Sequence, residues 1–173
     1  MKYYITADFH FSHHNILKYC NRPFQNAPEM NQAMLERYNK LIKSDDVVFI
    51  AGDFAFYDRE IETLKKELNG NKIFIIGNHD KKSKIKSIIN SVQVEYKGKM
   101  INIVHNPGLA NPNFKYNFCG HVHNMFKFKK VHHTDKESYI VNVGVDVWDF
   151  QPVSFDKALS DLNKAIKLNE ITA

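Results

Sequence analysis

VVFIAGD, Val47 to Asp53, is a near-continuous apolar run that stops on a glycine and a carboxylate. A short run rich in β-branched and aromatic side chains is the pattern of a strand buried on both faces. The same grammar recurs on either side of it. Lys2 to Ala7 (KYYITA) runs into Asp8 to His10, and Ile73 to Ile76 (IFII) runs into Gly77 to Asp80 (GNHD). Three buried strands thus each end in a polar, turn-forming cluster. Between them Met30, Met34, Leu35, Tyr38, Leu41 and Ile42 recur at helical spacing, as do Ile61, Leu64 and Leu68 ahead of an Asn69-Gly70 stop signal. The first half therefore alternates strand with helix. From Val92 the pattern becomes short strands: Val92 to Tyr96, a turn at Lys97-Gly98, Met100 to Val104, and later Tyr139 to Val143. A last amphipathic helix is expected from Phe155 to Leu168, with Ser154 placed to cap it and Leu159, Leu162, Ala165 and Ile166 on one face.

No linker interrupts these elements. With 173 residues, 43% of them hydrophobic, the chain fits one domain spanning residues 1–173, and 25% charged residues without repetitive tracts exclude a low-complexity chain. The N-terminus MKYYITADFH has no apolar run of signal-peptide length, and no later stretch approaches the roughly 20 apolar residues that span a bilayer. A soluble, cytoplasmic protein with no membrane partner is expected. Cys20 and Cys119 are too few for a disulfide framework and are expected to be reduced. The net charge of +5 favours anionic partners, but a modest lysine excess is equally a solubility device. Nucleic acid is the less favoured partner, because the basic clusters lack aromatic interleaving. Lys81, Lys82, Lys84 and Lys86 stand out only because they follow the GNHD cluster.

Five clusters place Asp, His and Asn where apolar runs stop: Asp8-Phe9-His10, Gly52-Asp53, Gly77-Asn78-His79-Asp80, His105, and Gly120-His121-Val122-His123. These side chains are oxygen and imidazole donors suited to divalent transition metals. In extended backbone, side chains two apart share a face, so Asp8 with His10, and His121 with His123, can each approach one ion pair. A bridging carboxylate such as Asp53 can hold two cations about 3.5–4 Å apart. Taken alone, an Asp-x-His is more often a cap or turn than a metal site. Five such clusters in order, each beyond an apolar run, demand more than a structural explanation.

The order D-x-H, GD, GNHD, lone H, GHxH resembles the calcineurin-like metallophosphoesterase family, in particular its small, cap-free bacterial and phage members, from Asp8 to His123. The resemblance implies an α/β fold, a four-layer α-β-β-α sandwich of two β-sheets flanked by helices. It implies two divalent transition-metal ions, manganese foremost, with iron, zinc or nickel as alternatives. Asp8, His10 and His123 would bind one, Asn78, His105 and His121 the other, and Asp53 would bridge. His79 would face the substrate as general acid, with Asp80 as its orienting partner. His13-His14-Asn15 and Arg22-Pro23-Phe24 are similar to an extended motif of the small members. One of His13 and His14, with Asn15 and Arg22, is thereby a candidate phosphate contact, although polar residues after a strand also commonly satisfy loop backbone. His132-His133 reads as solvated surface, and Asn142 and Gly144 in VNVGVDVW read as structural.

The expected reaction is hydrolysis of a small phosphate ester by in-line attack of a metal-bridging hydroxide, diester slightly favoured over monoester because no cap domain is evident. Two rival readings differ in class. One is a catalytically silent scaffold of the same fold, which the intact ligand pattern opposes. The other is a nuclease, resting on Lys81 to Lys86 and Lys127 to Lys130, with no accessory nucleic-acid domain to support it.

Overall fold

The computed structural model describes residues 1–80, 85, 87–131 and 136–171. The first half contains β1 (Tyr3–Thr6), α1 (Ile16–Tyr19), α2 (Ala27–Leu41), β2 (Val47–Ala51), α3 (Asp58–Glu67) and β3 (Asn71–Ile75). The second contains β4 (Ser91–Tyr96), β5 (Lys99–Val104), β6 (Tyr116–Cys119), β7 (Phe128–Val131), β8 (Ser138–Asn142), β9 (Val153–Ser154) and α4 (Phe155–Leu168). Short 3-10 turns at Pro107–Leu109 and Val145–Val147 join neighbouring elements. Lys81, Lys82, Lys84, Lys86, His132 and His133 lie outside the described residues. No helix among the described residues is long and apolar enough to cross a membrane.

Two mixed sheets result, flanked by helices. The first has the order β3-β2-β1-β9, with β1, β2 and β3 parallel and β9 antiparallel to β1. The second has the order β4-β5-β6-β8-β7, with β5, β6 and β8 parallel and the two edge strands antiparallel. Parallel pairing decides where the chemistry lies, because it sends every following loop to the same sheet edge. Asp8, Asp53 and Asn78 leave the first sheet at one end, and His105 and His121 leave the second likewise.

The central strands β1 and β2 are apolar on both faces because both are covered. Ile5, Phe49 and Ile75 pack against Ile101, Ile103, Phe118 and Val141 between the sheets, where Phe155, Leu159 and Leu162 of α4 join them. On the opposite face of the first sheet, Tyr4, Val48 and Ile50 meet Met30, Met34 and Tyr38 of α2 and Ile61 and Leu64 of α3. The helical cover is unequal: the small Val104, Cys119 and Ile140 cluster is closed by Ala110, Phe126 and Val131 instead. Asn26 caps α2 by accepting from the Glu29 N–H at 2.9 Å, and Ser154 caps α4 by accepting from Lys157 at 3.2 Å.

β6 and β7 carry no clear strand signal. β7 reads FKKV, an edge strand whose lysines guard an unpaired backbone. β6 reads YNFC and is buried throughout, including Asn117. The Asn117 amide is satisfied on both ends: Oδ1 accepts from Asn102 Nδ2 (2.9 Å) and the Asn111 N–H (2.8 Å), while Nδ2 donates to Asn111 O, Phe114 O and Ser138 Oγ. Asn117→Leu should therefore destabilise the protein by about 2–4 kcal/mol, since it strands several buried partners at once. Chemical denaturation reads this directly, and a loss under about 0.5 kcal/mol would show that the network is dispensable.

Candidate metal centre

The loops at this edge are zipped together before any side chain is considered. The Asp8 N–H donates to Gly52 O and the His10 N–H to Asp53 O, each at 3.0 Å, and Phe11 bridges to Ala55. Asp80 fastens the third loop: its Oδ2 accepts from the N–H groups of Asp53 (2.7 Å) and Gly77 (2.9 Å), and its Oδ1 from Phe54 (3.2 Å). Asp80 is thus not the orienting partner of His79. Its carboxylate is occupied by backbone donors that hold two loops in register. The second sheet is tied in by Val145 N–H to Ala7 O (3.0 Å) and by His121 N–H to Asp8 Oδ2 (2.8 Å).

Side-chain convergence comes from a source other than strand alternation. Asp8, His10, Asp53, His121 and His123 all have left-handed backbone, with φ of 58°, 50°, 54°, 73° and 48°. A left-handed residue without glycine's freedom carries strain, of order 1–3 kcal/mol, and persists only where its surroundings over-determine it. Here the zipped loops do so. The packing leaves no slack: a Cβ on Gly77 would sit 2.1 Å from Asp53 Oδ1, and one on Gly120 2.6 Å from Asp8 Oδ2.

Among the described residues, beside a group of Cys20, His123 and Asp146, two groups of donors form, Asp8 with His10 and His123, and Asp53 with His105 and His121, the ligand atoms of each within 4.8 Å of one another. Asp53 Oδ2 lies between the groups, 3.5 Å from His10 Nε2 and 3.4 Å from His105 Nε2. Asn78 Oδ1 stands 2.9 Å from both His105 Nε2 and His121 Nδ1. His105 Nδ1 must donate to Ala51 O at 2.8 Å, so a neutral ring turns an acceptor towards the oxygens of Asn78 and Asp53. Acceptors facing acceptors require a proton or a cation between them. Asp8 Oδ1 and His10 Nε2 are buried without a hydrogen-bond partner among the described residues. This mixed imidazole, carboxylate and amide set fits a pair of divalent transition-metal ions.

Without metal, protons fill the role. Burial would depress His105 and His123, but the Asp53 carboxylate raises His105 to about 9 and Asp146 raises His123 to about 10. Burial pushes Asp8 up to about 6 and His10 down to about 3. For Asp53 burial pulls upward, yet the bond to His105 and the neighbouring imidazoles hold it at about 2.

Asp146 is a functional-site residue hidden from sequence reading. Its Oδ2 accepts from His123 Nδ1 at 3.0 Å, which leaves Nε2 as the atom that could ligate a metal, and such carboxylate partners fix the tautomer and raise ligand basicity. Arg22 grips the same carboxylate with Nε (2.8 Å) and Nη2 (2.9 Å) and spends its remaining donors on Asp8 O, Phe9 O and Met30 Sδ. All five guanidinium protons are committed, so Arg22 is no phosphate contact but a buried strut. His14 and Asn15 are exposed and absent from the walls of the neighbouring cleft. His13 lines it instead, 8% exposed and stacked on Phe56 with ring centroids 4.4 Å apart. Asn142 is structural as expected, donating to His123 O (2.6 Å) and Phe126 O (2.7 Å) beneath the last loop. His79, its side chain 51% exposed, sits in the cleft wall with Nε2 4.0 Å from Asp53 Oδ2.

Comparison with known proteins agrees with this geometry. A family model described as Calcineurin-like phosphoesterase matches residues 1–164. The chain is 34% identical over 172 residues to an uncharacterized protein of Methanocaldococcus jannaschii, an alignment covering 94% of this chain and 92% of that one. It shares its fold with a solved protein of unknown function from Aquifex aeolicus, at 22% identity and a TM-score of 0.70 over 93% of this chain and 98% of that one. On the family match across residues 1–164, joined to a donor set that suits divalent metal, the chain belongs to the calcineurin-like phosphoesterases.

Proposed function

We propose that the protein hydrolyses small phosphate esters, diesters ahead of monoesters, with two divalent metal ions, manganese foremost. The observation that carries this reading is Asp53 Oδ2, placed at 3.5 and 3.4 Å from ring nitrogens of two separate donor groups. Asp8, His10 and His123 would hold one ion, Asn78, His105 and His121 the other, and Asp53 would contribute to both. Two cations so held would lower the pKa of water from about 15.7 towards 7 and would neutralise charge growing on the phosphoryl oxygens. His79 reaches into the cleft from the residue after Asn78, while its N–H bonds Asp53 Oδ1 at 3.0 Å. That bond fixes its backbone to the bridging residue and leaves the ring to protonate the departing oxygen. The cleft beside His10 and His123 has room for a second ester group, which supports a diester. The two free cysteines fit a reducing, cytoplasmic compartment.

Asp53→Asn should abolish hydrolysis and lower both bound ions together, with the fold retained. Asp146→Asn should weaken a single ion by about 10- to 100-fold, since it disturbs the orientation of His123 alone. Metal counts per chain, read by elemental analysis after dialysis against manganese, separate these outcomes. An Asp53→Asn protein that keeps near-normal activity and two ions would sink the bridging assignment, and a wild type holding less than one ion would favour a silent scaffold.

Metal binding should release protons. His105 and His123, raised to about 9 and about 10, are protonated at pH 7 in the metal-free protein, and each must lose its proton to become a ligand. Affinity should therefore climb as pH rises from 7 towards 9. Calorimetry in buffers of different ionisation heat counts the protons, and a binding heat independent of buffer would refute this.

His79→Asn should slow hydrolysis of alkyl esters by about 10²- to 10⁴-fold while sparing nitrophenyl esters, whose leaving group departs without a proton. Metal content should not change. Equal losses on both ester types would assign His79 to phosphate contact instead.

A further inference from the structure

Away from the candidate metal centre, a cavity of about 600 Å³ opens between the C-terminal half of α2 and the segment that follows the second 3-10 turn. That volume is within the range of small-molecule sites. None of its lining residues lines the cleft at the metal centre. Arg37, Lys40 and Leu41 of α2 form one wall, and Pro23 and Phe150 extend its apolar part.

Arg37 is the converse of Arg22. Its Nη1 donates to Asp149 O at 2.8 Å, and its remaining guanidinium protons have no protein partner among the described residues. Even so, the group is braced. Its Cζ lies 5.9 Å from the ring centroids of both Phe24 and Phe150, which pack edge to face at 5.0 Å. A guanidinium seated on aromatic rings presents a planar fork, the geometry that matches two oxygens of a phosphate or carboxylate. Lys40 stands three residues on, on the same face of the helix, and forms no ion pair among the described residues. Its place in the last turn of α2 suits any cation. That place does not account for a braced arginine beside it with most of its donors unspent.

Charge at the wall favours an anion, because the acid that lines it has another cation to serve. Asp149 gives Arg37 its carbonyl oxygen, and its carboxylate offsets part of the depression that burial imposes on the Lys127 ammonium. Backbone strain marks the same place. Asp149 and Phe150 are consecutive left-handed residues, at φ of 52° and 55°, and neither is glycine. Such a conformation is costly for a bulky aromatic and persists where its surroundings impose it. Here the Phe150 N–H bonds Val145 O at 3.0 Å, and the ring contacts the guanidinium groups of Arg22 and Arg37 at 5.8 and 5.9 Å. Phe150 is thereby held as a fixed part of the cavity wall.

We propose that this cavity is a second binding site, for a small organic phosphate dianion: Arg37 and Lys40 take the phosphoryl oxygens, and Pro23, Leu41 and Phe150 take the apolar body. Two cations suit a dianion better than a monoanionic carboxylate. The site is separate from the metal centre and does not depend on the reaction carried out there.

Amide NMR on zinc-loaded protein, with zinc chosen because it is diamagnetic, tests this with three probes: phenylphosphonate, inorganic phosphate and benzoate. Phenylphosphonate should give saturable shifts at Arg37, Lys40, Phe150 and Gln151, while shifts around Asp53 and His79 report any binding at the metal centre separately. Burial of the phenyl ring should make phenylphosphonate about 10-fold tighter than phosphate at the cavity, and benzoate should be weaker than phenylphosphonate. Arg37→Gln should weaken cavity binding by about 10- to 150-fold, and Arg37→Lys should recover little of it, because an ammonium lacks the fork. Lys40→Gln, which breaks no contact within the protein, should weaken it as well. Shifts at the metal centre should be the same in all three variants. Absence of saturable shifts at the cavity up to about 10 mM probe would overturn the site. So would phosphate binding as tightly as phenylphosphonate, benzoate binding most tightly, or unchanged affinity in Arg37→Gln, and each of these would leave the metal-centred reading in place.

Discussion

Everything at the site depends on one buried carboxylate accepting three backbone N–H groups. Asp80 joins Asp53 and Phe54 on the loop after β2 to Gly77 on the loop after β3. Burial still pushes its carboxyl above the usual range, since the three donors offset only part of the lost hydration. That residual cost is what a tether between two irregular loops requires. Neither loop can satisfy its own donors through a ladder, and a left-handed Asp53 has no regular neighbour to hold it. Remove the tether and the Asp53 carboxylate loses its fixed place between His10 and His105.

The centre is a concentration of acceptors that the fold tolerates only with positive charge inside it. Asp8, Asp53 and Asn78 supply oxygens, and His10, His105, His121 and His123 supply nitrogens, within a space sealed by glycines that admit no side chain. Protons on His105 and His123 compensate when metal is absent. A cation entering this donor set would exchange one form of positive charge for another, which would couple its affinity to pH.

Much of this was legible in the chain because it is written locally. Apolar runs ending in Gly-Asp or Gly-Asn-His-Asp mark parallel strands, and the residues at their ends were bound to meet once the strands paired. What escaped is non-local or non-periodic. Asp146 sits in an apolar stretch and acquires its meaning from Arg22, 124 residues earlier. Arg22 itself looked like a phosphate contact, because a basic residue near a site gives no local sign that carboxylate and carbonyl partners will consume it. His14 and its neighbour His13 are indistinguishable by composition, and only the turn into α1 decides which faces the cleft. The left-handed backbone at five of the candidate ligands has no sequence period to betray it.

The Arg22 and Asp146 pair also explains why a buried ion pair is retained here, where an apolar substitute could stabilise equally well. Two fork nitrogens hold Asp146 in plane at 2.8 and 2.9 Å, and the same guanidinium reaches back to the carbonyls of Asp8 and Phe9. A lysine has three donors on a flexible stem and could not span both. Through this one group the strained backbone of Asp8 and the ring of His123 are referenced to a common rigid body, although they come from opposite ends of the motif set. Two candidate ligands of one donor group are thereby set relative to each other in advance, so a cation placed there would not bear the cost of ordering them.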